Sequence, residues 1–132
     1  MSERIIAHAY IKGIESLPRK TSIVASLVRD RSVADAMVIL DNTPRRSAKS
    51  VKKAIESANA NLLSKGRIDS KTIVIERIVV TSGTRIRRYM PSTRGRALPF
   101  EKISSNIFVE VSGIEKAAVK PAKAAETKKE EK

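Results

Sequence analysis

The chain has 132 residues, of which 27 are Lys or Arg and 14 are Asp or Glu, giving a net charge of +13. That length holds one domain and at most a tail, and so large an excess of one sign points to a polyanionic partner, nucleic acid ahead of an anionic membrane surface. Cysteine is absent and histidine occurs once, which excludes disulfides, thiolate metal sites and a cysteine nucleophile.

The N-terminal MSERIIAHAYIKG lacks the apolar core of a signal peptide, and no apolar run approaches the roughly 18 residues of a membrane span. A soluble intracellular protein is expected. Ile5 to Glu15 reads as an edge strand. Ser16-Leu17-Pro18-Arg19-Lys20 opens a first helix, with Ser16 or Leu17 as cap and Pro18 in the first turn, where its missing N–H does no harm. Ile23, Val24, Leu27 and Val28 are its expected buried side.

Ser32 caps a second helix, with Asp35 three residues on, and Val33, Ala36, Met37 and Leu40 form one apolar stripe. Asn42-Thr43-Pro44 ends it and starts a third helix, with Thr43 as cap and Pro44 in the first helical position. That helix runs to about Lys65 and stops at Gly66, expected as a left-handed cap. Ala48, Val51, Ile55, Ala58 and Leu62 face inward, while Arg45, Arg46, Lys49, Lys52 and Lys53 crowd the first half with Glu56 as the one acid.

Lys71 to Val80 is rich in β-branched residues and reads as a strand, with a slip in alternation at Glu76-Arg77 that marks a bulge or twist. Ile103, Ile107, Val109 and Val111 share one parity and line one face of a return strand. Between them, residues 83–105 form a basic hairpin that turns near Pro91, Ser92, Thr93 and Gly95. At roughly 3.3 Å per residue its reach is on the order of 35 Å. Residues 114–132 are Ala, Lys and Glu with one proline, and read as a disordered or weakly helical tail; six Lys against four Glu give it +2, leaving +11 on the domain at 1–113.

No catalytic constellation assembles. His8 has no acid close in sequence, and the acids Asp30, Asp35, Asp41, Glu56, Asp69 and Glu76 are scattered. No phosphate-cradling glycine loop is present. An enzyme, a cofactor and a metal are therefore not expected. What the hairpin offers is guanidinium: Arg85, Arg87, Arg88, Arg94 and Arg96, with Lys102, against Glu101. Arginine's planar fork donates two parallel hydrogen bonds to phosphate and stacks on bases. On an extended strand Arg85 and Arg87 point one way and Arg88 the other, which suits an arm surrounded by nucleic acid. Gly95 permits positive φ in the turn, and Pro91 and Pro99 withhold donors and discourage edge-to-edge pairing.

Arg87-Arg88-Tyr89-Met90-Pro91-Ser92-Thr93-Arg94-Gly95-Arg96-Ala97 resembles the hairpin motif K-R-x-x-P-R-A-x-G-R-A of the large-subunit ribosomal protein twenty-two family, bacterial type. Leu17 to Lys20 is similar to that family's S-P-R-K, Ala36 to Pro44 to A-L-x-I-L-x-x-T-P, Ala54 to Asn61 to S-A-x-A-N-A, and Ile107 to Val111 to I-x-V-x-V. Ser92 departs from the pattern, as do Leu98-Pro99, Glu101 and Ile103 in a return arm that is commonly basic. Asn106 stands for a histidine, and Asp30 for a helix-ending glycine.

The resemblance implies an α+β fold, three helices on a small antiparallel sheet with a long protruding basic hairpin. It also implies a structural constituent of the large ribosomal subunit that binds its RNA, supports assembly and lines the nascent-peptide exit tunnel. Arg87, Arg88, Pro91, Arg94, Gly95 and Arg96 would be hairpin positions, and Arg19 and Lys20 RNA contacts. Partners would be large-subunit RNA, neighbouring ribosomal proteins and the nascent peptide near the tip, with no membrane and no obligate homo-oligomer. The alternative is an HU-type architectural DNA-binding protein with a basic β-arm, which must dimerise to present two arms. A basic membrane-surface protein is a weaker one, because no Lys-rich helix carries Trp or Phe anchors.

Overall fold

The computed structural model describes residues 4–66 and 68–114. Its elements are β1 (Arg4–Ile14), α1 (Pro18–Val28), α2 (Val33–Asp41), α3 (Arg46–Lys65), β2 (Val74–Pro91) and β3 (Ala97–Ile114), with 3₁₀ turns at Ser70–Thr72 and Thr93–Gly95. The three strands form one antiparallel sheet in the order β1-β3-β2, so the last described strand is the central one. This is the α+β architecture that the sequence predicts. The expected tail lies outside the described residues except for Ile114, which closes β3.

Alternation places Ala7 and Ala9 of β1, Ile75 and Ile78 of β2, and Ile107, Val109 and Val111 of β3 on one buried face. The small alanines of β1 let α3 approach, and its stripe Ala48, Val51, Ile55, Ala58 and Leu62 is buried as predicted, joined by Ser47 and Ala54. Each large aliphatic side chain so removed from water contributes about 1.5–3 kcal/mol. From α3, Asn61 Nδ2 donates to the His8 carbonyl at 3.0 Å and Lys65 Nζ to the Ile6 carbonyl at 2.8 Å, tying the helix to the backbone of β1.

Several local expectations are corrected. In α1 the buried side is Thr21, Val24, Ala25 and Val28, while Ile23 and Leu27 remain 47% and 44% exposed. Small Thr21 and Ala25 let the helix sit close. The buried Thr21 hydroxyl is satisfied, since its one proton can go to Leu17 O (3.2 Å) while Ser16 Oγ lies 3.0 Å away as a hydroxyl partner. Thr43 does not cap α3. Its hydroxyl donates backwards to Ile39 O at 2.7 Å, finishing α2, and α3 starts at Arg46 with Arg45 extended before it. Gly66 has φ −176°, so it ends α3 in extended rather than left-handed geometry. A 3₁₀ turn at 70–72 takes the first two positions of the expected strand, and β2 begins at Val74.

Other expectations hold. Ser32 Oγ accepts from Asp35 N at 3.1 Å and donates to Asp35 Oδ2 at 2.7 Å, capping α2. The slip in β2 is a bulge at Glu76, since Ile75 faces Val111 and Arg77 faces Glu110. Asp30, just past α1, has φ +58°, the left-handed region in which a glycine is most at ease.

Candidate nucleic-acid interface

β2 and β3 stay paired far past the body, in register to Pro91 opposite Ala97. Every residue from position 84 to position 102 is exposed, so none of the described residues covers this arm. A second β2 bulge between Ser82 and Arg85 marks its root, where a Cβ on Gly83 would stand 2.6 Å from Ser104 Oγ and 3.2 Å from the Ser104 carbonyl carbon, so a side chain there would push the Ser104 hydroxyl aside. On the facing side, β1 bulges between Ile11 and Ile14, and Asn106 Oδ1 accepts the Gly13 N–H at 3.0 Å.

The register sorts the arm into two faces. One holds Arg85, Arg87 and Tyr89, opposite Ile103, Glu101 and Pro99; the other holds Ile86, Arg88 and Met90, opposite Lys102, Phe100 and Leu98. Glu101 reaches both guanidinium groups of the first face, at 3.7 Å from Arg85 and 4.0 Å from Arg87. Among the described residues Arg88 has no carboxylate contact, and it donates to the Arg87 carbonyl at 3.3 Å. The turn closes with Ser92 N donating to Arg96 O (2.7 Å) and Arg96 N to Thr93 O (3.3 Å). Arg94 (φ +57°) and Gly95 (φ +71°) are both left-handed, so Gly95 serves the purpose expected of it while Arg94 carries strain of about 1–2 kcal/mol. The Arg94 and Arg96 side chains leave the tip on exposed positions.

The arm and the body form one cationic surface joined at Glu15. Its carboxylate takes Lys102 of the arm at 3.2 Å and Arg46 of α3 at 3.8 Å. Beside it, Lys20, Arg45 and Arg46 line a recess with Ser16, Leu17 and Ser47. A second recess, lined by Arg45, Arg46, Lys49 and Lys52 together with Thr43 and Pro44, lies against the end of α2. Thus Lys20, Arg45, Arg46, Lys49, Lys52 and Lys102 are brought together. Arg19 and Lys53 are exposed but line neither recess. Lys52 is partly spent within the fold: it donates to Asp41 Oδ1 at 2.6 Å, and that hydrogen bond raises the ammonium pKa above its ordinary value.

One group escapes the sequence reading. On the sheet face turned away from the helices, Tyr10 of β1 lies opposite Phe108 of β3, which lies opposite Val79 of β2. The next row is His8, Glu110 and Arg77. The His8 and Phe108 rings stack with centroids 6.0 Å apart, and Lys12 Nζ sits 5.3 Å from the Tyr10 ring centre. The signal available was parity: Tyr10 and Phe108 fall out of phase with the buried positions of their strands.

Fold and charge together define a class: a small basic α+β body extended by a cationic β-arm. Residues 9–112 match the family model described as ribosomal protein L22p/L17e. The chain is 40% identical over 105 residues to the large ribosomal subunit protein uL22 of Anaeromyxobacter sp. (strain Fw109-5), covering 79% of this chain and 73% of that protein. With uL22 of Myxococcus xanthus identity is 39% over 110 residues, 82% of this chain and 96% of the relative. With uL22 of Metamycoplasma arthritidis it is 34% over 124 residues, 94% of this chain but 59% of the longer relative. The chain belongs to the ribosomal protein L22p/L17e family. It is a structural constituent of the large ribosomal subunit and not an enzyme, a reading that displaces the DNA-bending alternative.

Proposed function

We propose that this chain binds large-subunit ribosomal RNA, supports the assembly of that subunit and lines the nascent-peptide exit tunnel with the β2–β3 arm. The observation that carries the reading is the arm itself, exposed from position 84 to position 102 with guanidinium groups on both faces. A hairpin this long is marginal alone in water, so its stable form needs a partner on both sides. RNA supplies one, with phosphates for the arginine forks and few base-specific contacts. Arg85, Arg87, Arg88, Arg94, Arg96 and Lys102 act from the arm. Arg45, Arg46, Lys49, Lys52 and Lys53 act from α3, and Arg19 and Lys20 from α1. The turn at Pro91, Ser92, Thr93 and Gly95 meets the passing nascent peptide, and neighbouring ribosomal proteins complete the surroundings of a single copy.

The test is a variant in which residues 85–102 are replaced by a short turn. The full chain is expected to bind large-subunit RNA with log K falling by about 0.7–0.9 per phosphate contact for each decade of salt. The variant is expected to bind with a shallower slope and to enter subunits poorly. Equal incorporation, an equal salt slope and an unchanged tunnel would overturn the role given to the arm.

A further inference from the structure

The helix-free face of the sheet is a second surface with its own chemistry. Tyr10 is 49% exposed and lies opposite Phe108 in register, so two aromatic residues occupy this face on neighbouring strands. The His8 imidazole stacks on Phe108 with centroids 6.0 Å apart, adding a third ring to the group. Cations stand on both flanks, with Lys12 over Tyr10 on β1 and exposed Arg77 on β2. Among the described residues, no helix packs on this side, because the buried parity of each strand faces α1 and α3.

We propose that this face binds unpaired RNA nucleotides, whose bases stack on Tyr10 and Phe108 while Lys12 and Arg77 take the phosphates. The physical case is one of matching shapes. Flat rings held on a sheet accept the π-face of a splayed-out base, and they cannot enter the grooves of an A-form duplex. Glu110 lies between His8 and Arg77 in the register, where its carboxylate keeps phosphate to the flanks and offers an acceptor to a base amine. A protein partner would leave the cations on both flanks to be matched by acids placed at the same spacing, whereas a nucleotide strand brings a base and an anion together in every unit. By strand parity Phe108 and Phe100 share a face of β3, so at roughly 3.3 Å per residue the platform lies about 26 Å along the strand from the aromatic of the arm. The inference rests on RNA as the partner class, as proposed above, but it places a contact separate from the arm.

The test uses the full chain with a short unpaired oligoribonucleotide, an RNA duplex of the same length and large-subunit RNA. Tyr10→Ala is expected to weaken the unpaired oligomer about tenfold. It should leave duplex binding and the salt slope unchanged, because it removes no charge, and lower the melting temperature by only the few degrees that a lost cross-strand pair costs. Tyr10→Trp is expected to retain binding and to show emission quenched by the oligomer but not by the duplex. Undiminished oligomer binding by Tyr10→Ala, equal losses on oligomer and duplex, or a Trp emission indifferent to bound oligomer would each overturn the platform. If large-subunit RNA still binds with its full salt slope in those cases, the platform alone has failed. If the wild-type chain binds none of the RNAs, the RNA-binding reading has failed with it.

Discussion

Glu101 is the one acid of the arm, and Glu101→Gln tests whether the arm's guanidinium groups meet phosphate. Its carboxylate lies 3.7 Å from Arg85 and 4.0 Å from Arg87, whose side chains are 61% and 88% exposed. At about 4 Å two unit charges in water attract by about 1 kcal/mol, and exposed pairs of this kind are worth about 0.2–1 kcal/mol each once entropy and salt are counted. Handing both guanidinium groups to phosphate therefore costs about 0.4–2 kcal/mol, which Glu101→Gln removes. The equivalent change is a Kd lower by about 2- to 30-fold. Fluorescence anisotropy with a large-subunit RNA fragment, repeated across a salt series, reads both the affinity and its slope. Stability should fall by no more than the two pairs contribute, about 0.4–2 kcal/mol, because among the described residues no other ion pair rests on this side chain. An unchanged or weaker affinity would refute the reasoning and mean that Arg85 and Arg87 do not contact phosphate in the complex.

Two further predictions concern the body. Leu62→Ala, at a fully buried position of α3, is expected to lower stability by about 2–5 kcal/mol, read as a shift in the urea midpoint. Ser32→Ala removes the acceptor for Asp35 N and is expected to cost about 1 kcal/mol by the same assay, with the slope of the transition unchanged.

Periodicity made the inward faces of α2 and α3 legible, and the β-branched run with its slip located the bulge at Glu76. What it missed was decided between elements. In α1, Ile23 and Leu27 have the right spacing for a core, but small Thr21 and Ala25 allow the closer approach, so they are buried instead. Thr43 and Pro44 carry a helix-start signature, yet the hydroxyl is taken by the end of the preceding helix. The left-handed residue after α1 is Asp30, which periodicity does not mark; only the family pattern, with its helix-ending glycine there, points to the position. Of the candidate interface, the arm's arginines were legible because charge density is a property of sequence. Glu15 was not, since linking Lys102 to Arg46 depends on the bulges that bring the root of the arm beside α3. The aromatic face was hidden because its members come from the first and last described strands.

The strand order has a consequence for how the molecule comes into being. The centre of the sheet is its final strand, and Arg4 finds its partner at Ile114. Closing a loop of that length costs chain entropy before any pairing compensates, and contacts so distant in sequence slow folding. During synthesis β1 has no strand partner until β3 has emerged, and the inner part of β2 has only its isolated bridge from Val74 to Ser32. The β2–β3 turn, by contrast, joins residues only a few positions apart and can zip as soon as both of its sides are made. Synthesis therefore leaves β1 waiting longest, and a chain ending before β3 would retain helices with no sheet to cover them.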